Sequence, residues 1–100
     1  MRMPNGLGHH GQKLWKSVCA EFDLDREPAK QRILADCCAI ADLIAKLSAA
    51  AAKEPLVVRG SAMQQVINPA ISEARFQRAL LMQGLARLNL APPDDQEVDY

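Results

Sequence analysis

A chain of 100 residues has the size of one ordinary domain, and a second domain would lack a core of its own. About half of the residues are apolar, but only 4% are aromatic, a composition that favours helices packed closely through small side chains. Twelve basic and twelve acidic side chains balance formally. Four of the acidic ones lie between positions 94 and 99, so residues 1–93 carry a net charge of +4. This net charge is too small to indicate nucleic-acid binding by itself, although a mildly basic body is compatible with binding a polyanion.

The three cysteines, Cys19, Cys37 and Cys38, predict a reducing, intracellular setting, because their number is odd and no signal peptide precedes them. Cys37 and Cys38 are neighbours in a helical pattern, where successive side chains diverge by about 100°. We therefore expect them to be packing residues that share neither a metal nor a disulfide. No apolar run reaches the roughly 18 residues needed to cross a bilayer, which predicts a soluble protein with no membrane partner.

The first predicted helix covers about residues 9–22, after a lead-in at 1–8 that holds a proline and two glycines and is expected to be flexible. His9 and His10 are adjacent and have no third ligand nearby in sequence, so we expect no metal site. The apolar residues of this helix follow one face: Leu14, Trp15, Val18, Cys19 and Phe22.

The second predicted helix runs from about 26 to 53, with Asp23 or Asp25 as its cap and Pro28 in its first turn. Such a rod is about 40 Å long, more than the diameter of a compact 100-residue globule with a radius of gyration of about 13 Å. The fold is therefore expected to be elongated, with other copies of the chain covering the apolar surface that remains. Asp36 and Asp42 are interpreted as charges on the solvated face of this helix.

The segment "PLVVRGSAMQQVINP" at 55–69 contains two short runs that favour strands, at 56–58 and 64–67, with a glycine between them. It predicts a small hairpin at about 55–67, with an irregular loop as the alternative. Two strands are marginal alone, so we expect them to pack on helices or on another chain. Asn68 as a cap and Pro69 as the first residue mark a third helix at about 69–88. Its apolar arc is wider than one stripe, which is typical of a helix packed between two partners.

The predicted fold is mainly α: a short first helix, then two long antiparallel helices joined by a small β-hairpin, within a single domain at 9–90. Residues 91–100 are acidic and contain prolines, so we expect a disordered tail. The sequence has no glycine-rich phosphate loop, nucleophile elbow or metal-binding helix motif. Its carboxylates are placed as caps and surface residues and do not form a close pair, so we expect neither an enzyme nor a cofactor.

Three segments in a fixed order resemble a known family: "GLGHHGQKLWKSVCAEFDLD" at 6–25, "ILADCCAIADLIAKL" at 33–47, and "PLVVRG…QQVINPAISEARFQRALLMQGLARLNL" at 55–90. The plan is similar to the bacteriophage terminase small subunit, in the short form common in phages of actinobacteria. Each motif is weak singly, but the ordered set is fairly specific. The matching positions are Leu7, Gly8, Gly11, Leu14, Trp15, Asp23, Leu24, Gly60, Asn68, Pro69, Arg75, Arg78, Leu81 and Leu88.

The resemblance implies a non-catalytic viral DNA-packaging factor in the cytoplasm of the bacterial host. Terminase small subunits form rings, bind the phage double-stranded DNA near its packaging start and present it to the large subunit, which carries the ATPase and nuclease. We accordingly expect a homo-oligomeric ring of about seven to twelve chains. The residues expected at the interface between subunits are Trp15, Val57, Val66, Phe76 and Leu80. Those expected to bind a partner through the tail are Asp94, Asp95, Glu97 and Asp99.

The chain departs from the broader family because only one helix precedes the long helix, and no recognition helix for DNA is evident. We therefore hypothesise electrostatic binding through phosphate contacts repeated around the ring. The expected DNA contacts are Arg2, Lys13, Lys16, Arg26 and Lys30, with plain solvation as the alternative for each. The arginines of the last helix either line a channel or pair with carboxylates across the helix pair: Arg75, Arg78 and Arg87 with Asp36, Asp42 or Glu73.

Two other functions are consistent with the same residues. One is a helical oligomeric interaction protein of a phage or prophage without direct DNA binding, for instance one that binds the large subunit through its acidic tail. The other is a small transcriptional regulator, which needs a recognition helix that the sequence lacks.

Overall fold

The computed structural model describes residues 2–59 and 65–90, which form three α-helices and two short strands. In chain order the elements are α1 (His9–Glu21), α2 (Pro28–Ala52), β1 (Val57–Arg59), β2 (Gln65–Ile67) and α3 (Pro69–Arg87). The predicted mainly helical fold is confirmed for this part of the chain, with each helix boundary within two residues of its predicted position. Residues 60–64 of the predicted hairpin and the predicted tail at 91–100 lie outside the described residues.

Helices α2 and α3 pack against each other in antiparallel directions. Gly84, near the end of α3, lies against Cys37 in the first half of α2, and a Cβ added at Gly84 would be 2.6 Å from the Cys37 Sγ. Towards the other end of the pair, Arg78 Nη2 donates a hydrogen bond of 2.9 Å to Ser48 Oγ. Later residues of α3 therefore contact earlier residues of α2, as expected for antiparallel helices. The absence of a side chain at Gly84 allows the two helices to approach closely at Cys37.

The core lies where α1, the first half of α2 and the end of α3 meet. Leu34 and Leu88 have no exposed surface, and Leu24, from the connection between α1 and α2, is only 3% exposed. The connection is therefore anchored in the core by its leucine. The buried residues of this cluster are Trp15, Val18, Leu24, Leu34, Cys38 and Leu88.

Trp15 belongs to this core, so its predicted place at a subunit interface is wrong. Only 5% of its surface is exposed. An apolar stripe on a helix indicates that the face is covered, but it does not say whether the same chain or another one covers it. Here the core cluster of the same chain covers the side chain, and little of Trp15 is left for a second copy.

The start of α2 differs from its predicted form. Its N-cap is Glu27, whose side chain makes no cap hydrogen bond, and Pro28 is the first helical residue. Instead of capping the helix, the Asp23 carboxylate accepts a hydrogen bond of 2.9 Å from the backbone N–H of Asp25. The connection is tied to α2 by Gln31, whose Nε2 donates to the carbonyl oxygen of Leu24 at 2.7 Å.

Strands β1 and β2 pair in antiparallel directions, with Val57 opposite Ile67 and Val58 opposite Val66. Val57 and Ile67 are 44% and 50% exposed, and Leu56, just before the pair, is 61% exposed. Since side chains directly opposite each other share a face of the sheet, Val57 and Ile67 form one apolar surface. In a single copy of the chain that surface is largely open.

The start of α3 agrees with its predicted boundary. The Asn68 side chain accepts a hydrogen bond of 3.0 Å from the backbone N–H of Ala70, and Pro69 is the first helical residue. The backbone N–H of Asn68 donates to the carbonyl oxygen of Leu56 at 2.7 Å. One residue thus closes the strand pair and caps the helix.

Candidate functional site

A carboxylate from α2 holds the N-terminus of α1. The N-cap of α1 is Gly8, which has no side chain, and the first turn contains no acidic residue. Asp42 supplies the two hydrogen-bond acceptors that α1 lacks. Its Oδ2 accepts a hydrogen bond from the Gly8 N–H at 2.7 Å, and its Oδ1 accepts one from the Gly11 N–H at 2.8 Å. These are the two backbone donors that a capping box satisfies from within one helix. The carboxylate also faces the positive end of the helix dipole, so this Asp42 clamp fixes α1 on α2.

Gly11 is required at the clamp because the two helices approach closely there. A Cβ at this position would meet the Asp42 Oδ2 and would lie 2.8 Å from the carbonyl oxygen of Cys38, a backbone atom that moves only with α2. Gly8 is less confined, since its Cβ would be 3.0 Å from the Asp42 Oδ1. Gly8 and Gly11, three residues apart, therefore form the surface of α1 that packs closely against α2.

One prediction is wrong at this point, because Asp42 is half-buried in the clamp and is not a solvated-face charge. In the lead-in, for which flexibility is predicted, Met3 and Leu7 pack against the core. Gly6 turns the backbone there with φ of 87°. Gln12 Nε2 also donates to the carbonyl oxygen of Leu7 at 2.8 Å, which ties the lead-in to α1.

The outer side of α1 presents the two exposed lysines Lys13 and Lys16, which we call the α1 basic face. They are three residues apart, so they are neighbours on the helix surface. Together with His9, Gln12 and Ser17 they line one shallow depression. The only acidic residue of α1 is Glu21, five positions after Lys16, so neither lysine has a carboxylate neighbour three or four residues away on the same helix. The structure thus brings together two of the five predicted DNA contacts.

The other three predicted DNA contacts are less closely grouped. Arg2 and Arg26 are exposed, but Arg26 lies within the acidic connection between α1 and α2, next to Asp25 and Glu27 in sequence. Lys30 is half-buried, and its Nζ lies 3.1 Å from the Glu27 Oε1 one turn earlier. The charge of Lys30 is therefore paired at the start of α2, so it is less available to phosphate than the lysines of α1, and its role as a DNA contact stays a prediction.

The predicted ion pairs between α3 and α2 are replaced by other contacts. Arg78 bonds Ser48, as described above, and Asp36 pairs with Arg32 on its own helix at 3.3 Å. Glu73 accepts a hydrogen bond of 2.9 Å from Gln77 Nε2. Since Asp42 is held in the clamp, the three carboxylates that were candidates for these pairs have local or capping partners.

The surface of α3 exposes large apolar side chains. Phe76 is 57% exposed and Met82 is 71% exposed, whereas Leu80 is half-buried. On the strand pair, Val57 is exposed and Val66 is half-buried. Apart from Trp15, the residues predicted for the interface therefore have surface to offer a second chain. The sequence pattern missed Leu56, Ile67 and Met82, whose exposure depends on the packing of the strands and helices.

The thiols of Cys37 and Cys38 are buried, at 1% and 0% exposed, which confirms their prediction as packing residues. Burial, together with smaller contributions from the neighbouring Cys37 and Cys19 thiols and the Asp42 carboxylate, raises the pKa of Cys38 to about 12. Burial also raises the pKa of Cys37. Neither thiol is placed to act as a nucleophile, because the thiolate is the reactive form.

We expect the buried Cys38 thiol to make the fold less stable above pH 9. Its pKa is higher in the folded chain than the ordinary value of 9.0. The unfolded chain therefore releases this proton first, and the stabilisation present below pH 9 is lost progressively between pH 9 and about 12. Urea unfolding at pH 8 and pH 10 should show a smaller loss of stability for Cys38→Ala than for the unmodified chain. If both chains lose the same free energy of unfolding between pH 8 and pH 10, the effect does not come from the Cys38 thiol.

The described residues contain neither a cluster of metal-ligating side chains nor a membrane-spanning helix. Within 2–59 and 65–90, no three His, Cys, Asp or Glu side chains cluster in a way that could hold a metal ion. His9 and His10 contact each other edge to face, with ring centroids 5.3 Å apart. No helix in those two ranges is both long and apolar enough to cross a bilayer.

Comparison of the chain with protein-family models, with curated proteins and with solved structures gives no match. A function for the chain therefore has to be inferred from its own residues. The strongest functional feature among them is the α1 basic face, held in place by the Asp42 clamp.

Proposed function

We propose that the chain is a non-catalytic DNA-packaging factor of the terminase small-subunit type. In this proposal a homo-oligomeric ring binds phage double-stranded DNA in the host cytoplasm and regulates the large ATPase and nuclease subunit. The observation that carries the proposal is the α1 basic face, in which Lys13 and Lys16 are exposed side by side. Contacts to phosphate need charge and access but no base reading, so they suit a protein without an evident recognition helix.

Assembly is part of the proposal, because two lysines in one copy form only a weak electrostatic site. A ring repeats the α1 basic face in every subunit, and linked contacts strengthen binding without any new type of contact. The exposed apolar side chains of the strand pair and of α3 supply surface for such an assembly. We place Val57 and Phe76 at the interface, together with the newly identified Leu56, Ile67 and Met82.

Reversing the charge of the α1 basic face should weaken DNA binding strongly. For Lys13→Glu/Lys16→Glu we expect a dissociation constant raised roughly ten- to a hundred-fold at low salt, with a shallower dependence on salt concentration because fewer counterions are released. Fluorescence anisotropy with a labelled DNA duplex at several salt concentrations measures both quantities.

The matched control for this experiment is Lys46→Glu/Lys53→Glu, which makes the same change of charge at two exposed lysines of α2 and its C-terminal end. The control should bind DNA nearly as well as the unmodified chain. An equal loss of affinity in both double variants would remove the special role of the α1 basic face. Binding by the unmodified chain that does not weaken with salt would contradict the electrostatic mode altogether.

The second candidate function is a helical oligomeric phage or prophage interaction protein that does not bind DNA. The exposed apolar surfaces of the strand pair and α3 favour it, because they fit a protein partner as well as a second copy. A multimeric native mass without DNA binding at low salt would favour this candidate. Deleting residues 92–100 adds a further test, since loss of large-subunit stimulation with DNA binding intact would assign the acidic tail to that partner.

A further inference from the structure

A second surface feature, which we call the three-helix groove, lies where α1, α2 and α3 meet at the surface. Its volume is about 380 Å³. The floor is apolar and consists mainly of the half-buried side chains of Leu14, Ile44, Leu81 and Leu85, while the exposed His10 and Lys13 of α1 form a rim. No acidic residue lines the groove.

The groove is matched in size and charge to a short, acidic, partly apolar peptide. Its volume is at the small end of ligand clefts, which measure about 300–1,000 Å³, so it accommodates one or two large side chains and not a whole helix. The apolar floor favours an aromatic or aliphatic side chain. The ammonium group of Lys13 at the rim favours a neighbouring carboxylate.

The C-terminal segment of the same chain, "APPDDQEVDY" at 91–100, has this chemistry. It contains four carboxylates and only two large apolar residues, Val98 and Tyr100. In an extended peptide, residues two positions apart share one side, so Val98 and Tyr100 would reach the floor together while Glu97 and Asp99 would lie towards the other side. The segment thus carries apolar side chains that suit the floor, and carboxylates on its open side that the long Lys13 side chain can reach from the rim.

The segment is also long enough and starts close enough to reach the groove. Leu90, the last described residue before it, packs against the core together with Leu85, which itself lines the groove. Leu85 lies only two residues before the end of α3 at Arg87, and Leu81 lies six residues, or about 9 Å, before it, whereas ten extended residues span up to about 33 Å. We propose that residues 91–100 dock in the three-helix groove of their own chain, with Val98 and Tyr100 on the floor and carboxylates beside Lys13.

Docking would have a regulatory consequence, which rests on the proposed function. Lys13 belongs both to the rim of the groove and to the α1 basic face. A tail bound there covers one of the two lysines and adds negative charge beside the other, so tail and DNA compete. The docking itself requires no DNA and is tested without it.

Zero-length carbodiimide crosslinking of the full chain, followed by mass spectrometry of the peptides, tests the docking. It joins a lysine amine to a carboxylate only when the two are in contact. We expect the main crosslinks of residues 94–99 to be to Lys13, in preference to the exposed lysines Lys16, Lys46 and Lys53. The Val98→Ser/Tyr100→Ser variant keeps all charges and should lose at least three quarters of the Lys13 crosslink, because its apolar anchors are gone.

Several outcomes of this experiment would overturn the proposal. Crosslinks spread evenly over the exposed lysines would show only general attraction, as would a Lys13 crosslink unchanged in Val98→Ser/Tyr100→Ser. Mixing chains labelled with different nitrogen isotopes identifies crosslinks between two copies, and their predominance would show that the tail binds a neighbour. In the DNA-binding experiment, Val98→Ser/Tyr100→Ser should bind roughly three- to tenfold more tightly at low salt. If docking is confirmed but DNA binding is absent, the proposed function fails and the docking stands.

Discussion

Replacing Gly11 by alanine should lower the free energy of unfolding by about 2–4 kcal/mol. The added Cβ would meet the Asp42 carboxylate and would lie 2.8 Å from the carbonyl oxygen of Cys38, so α1 must move away from α2. In an unobstructed helix the same change stabilises a protein by about 0.5–1 kcal/mol, because glycine is the more flexible residue in the unfolded chain. The expected sign is therefore opposite to helix propensity, and urea unfolding followed by circular dichroism measures it.

Substitutions at Asp42 separate the steric part of this effect from the hydrogen bonds. Asp42→Ala removes the acceptors of both the Gly8 and the Gly11 N–H groups and should cost about 1–3 kcal/mol. In the Asp42→Ala background, Gly11→Ala should cost less than in the unmodified chain, because one of its two clashes has been removed. The clash with the Cys38 carbonyl remains, so the cost should not vanish. A Gly11→Ala variant as stable as the unmodified chain would contradict the Asp42 clamp.

The elements that the sequence predicted well are those with local signals. Helix periodicity and the Asn68–Pro69 cap operate over a few residues, and the structure has these helices within two residues of their predicted bounds. The Asp42 clamp joins residues 31 and 34 positions apart, so no local pattern reports it. Without knowledge of that partner, the proline and the two glycines of residues 1–8 indicate only flexibility, which is what the sequence predicts for the lead-in.

In the candidate site, too, the features with local sequence signals could be predicted, whereas those that depend on packing could not. Lys13 and Lys16 lie off the apolar stripe of their helix, and their exposure follows from that spacing alone. The ion pair between Lys30 and Glu27 could also be predicted from the sequence, since Glu and Lys three residues apart on a helix commonly interact. Trp15 was misplaced for a different reason, because a single sequence does not distinguish packing within a chain from packing between chains.

The apolar pair Val57 and Ile67 carries the second large expected effect. We expect the unmodified chain to have a native mass of about seven to twelve subunits in solution. The Val57→Asp/Ile67→Asp variant should sediment as a monomer or dimer at micromolar concentration, because it places two carboxylates on a surface that assembly would bury. Its helical circular dichroism should be unchanged, since both residues are about half exposed and lie outside the core cluster. Analytical ultracentrifugation measures the mass.

Two further variants show whether the loss of mass comes from this surface. Gln65→Asp places one carboxylate at an exposed polar position of β2, two residues from Ile67 on the same face, and should reduce the mass less than the double variant because it removes no apolar contact. Val66→Asp alters a half-buried residue, which belongs to the opposite face of the strand pair, and should reduce stability as well as mass. If the unmodified chain is itself a monomer or dimer, the ring is wrong. If it is a larger assembly that Val57→Asp/Ile67→Asp leaves intact, the subunits meet elsewhere, and the exposed Phe76 and Met82 of α3 become the interface to test.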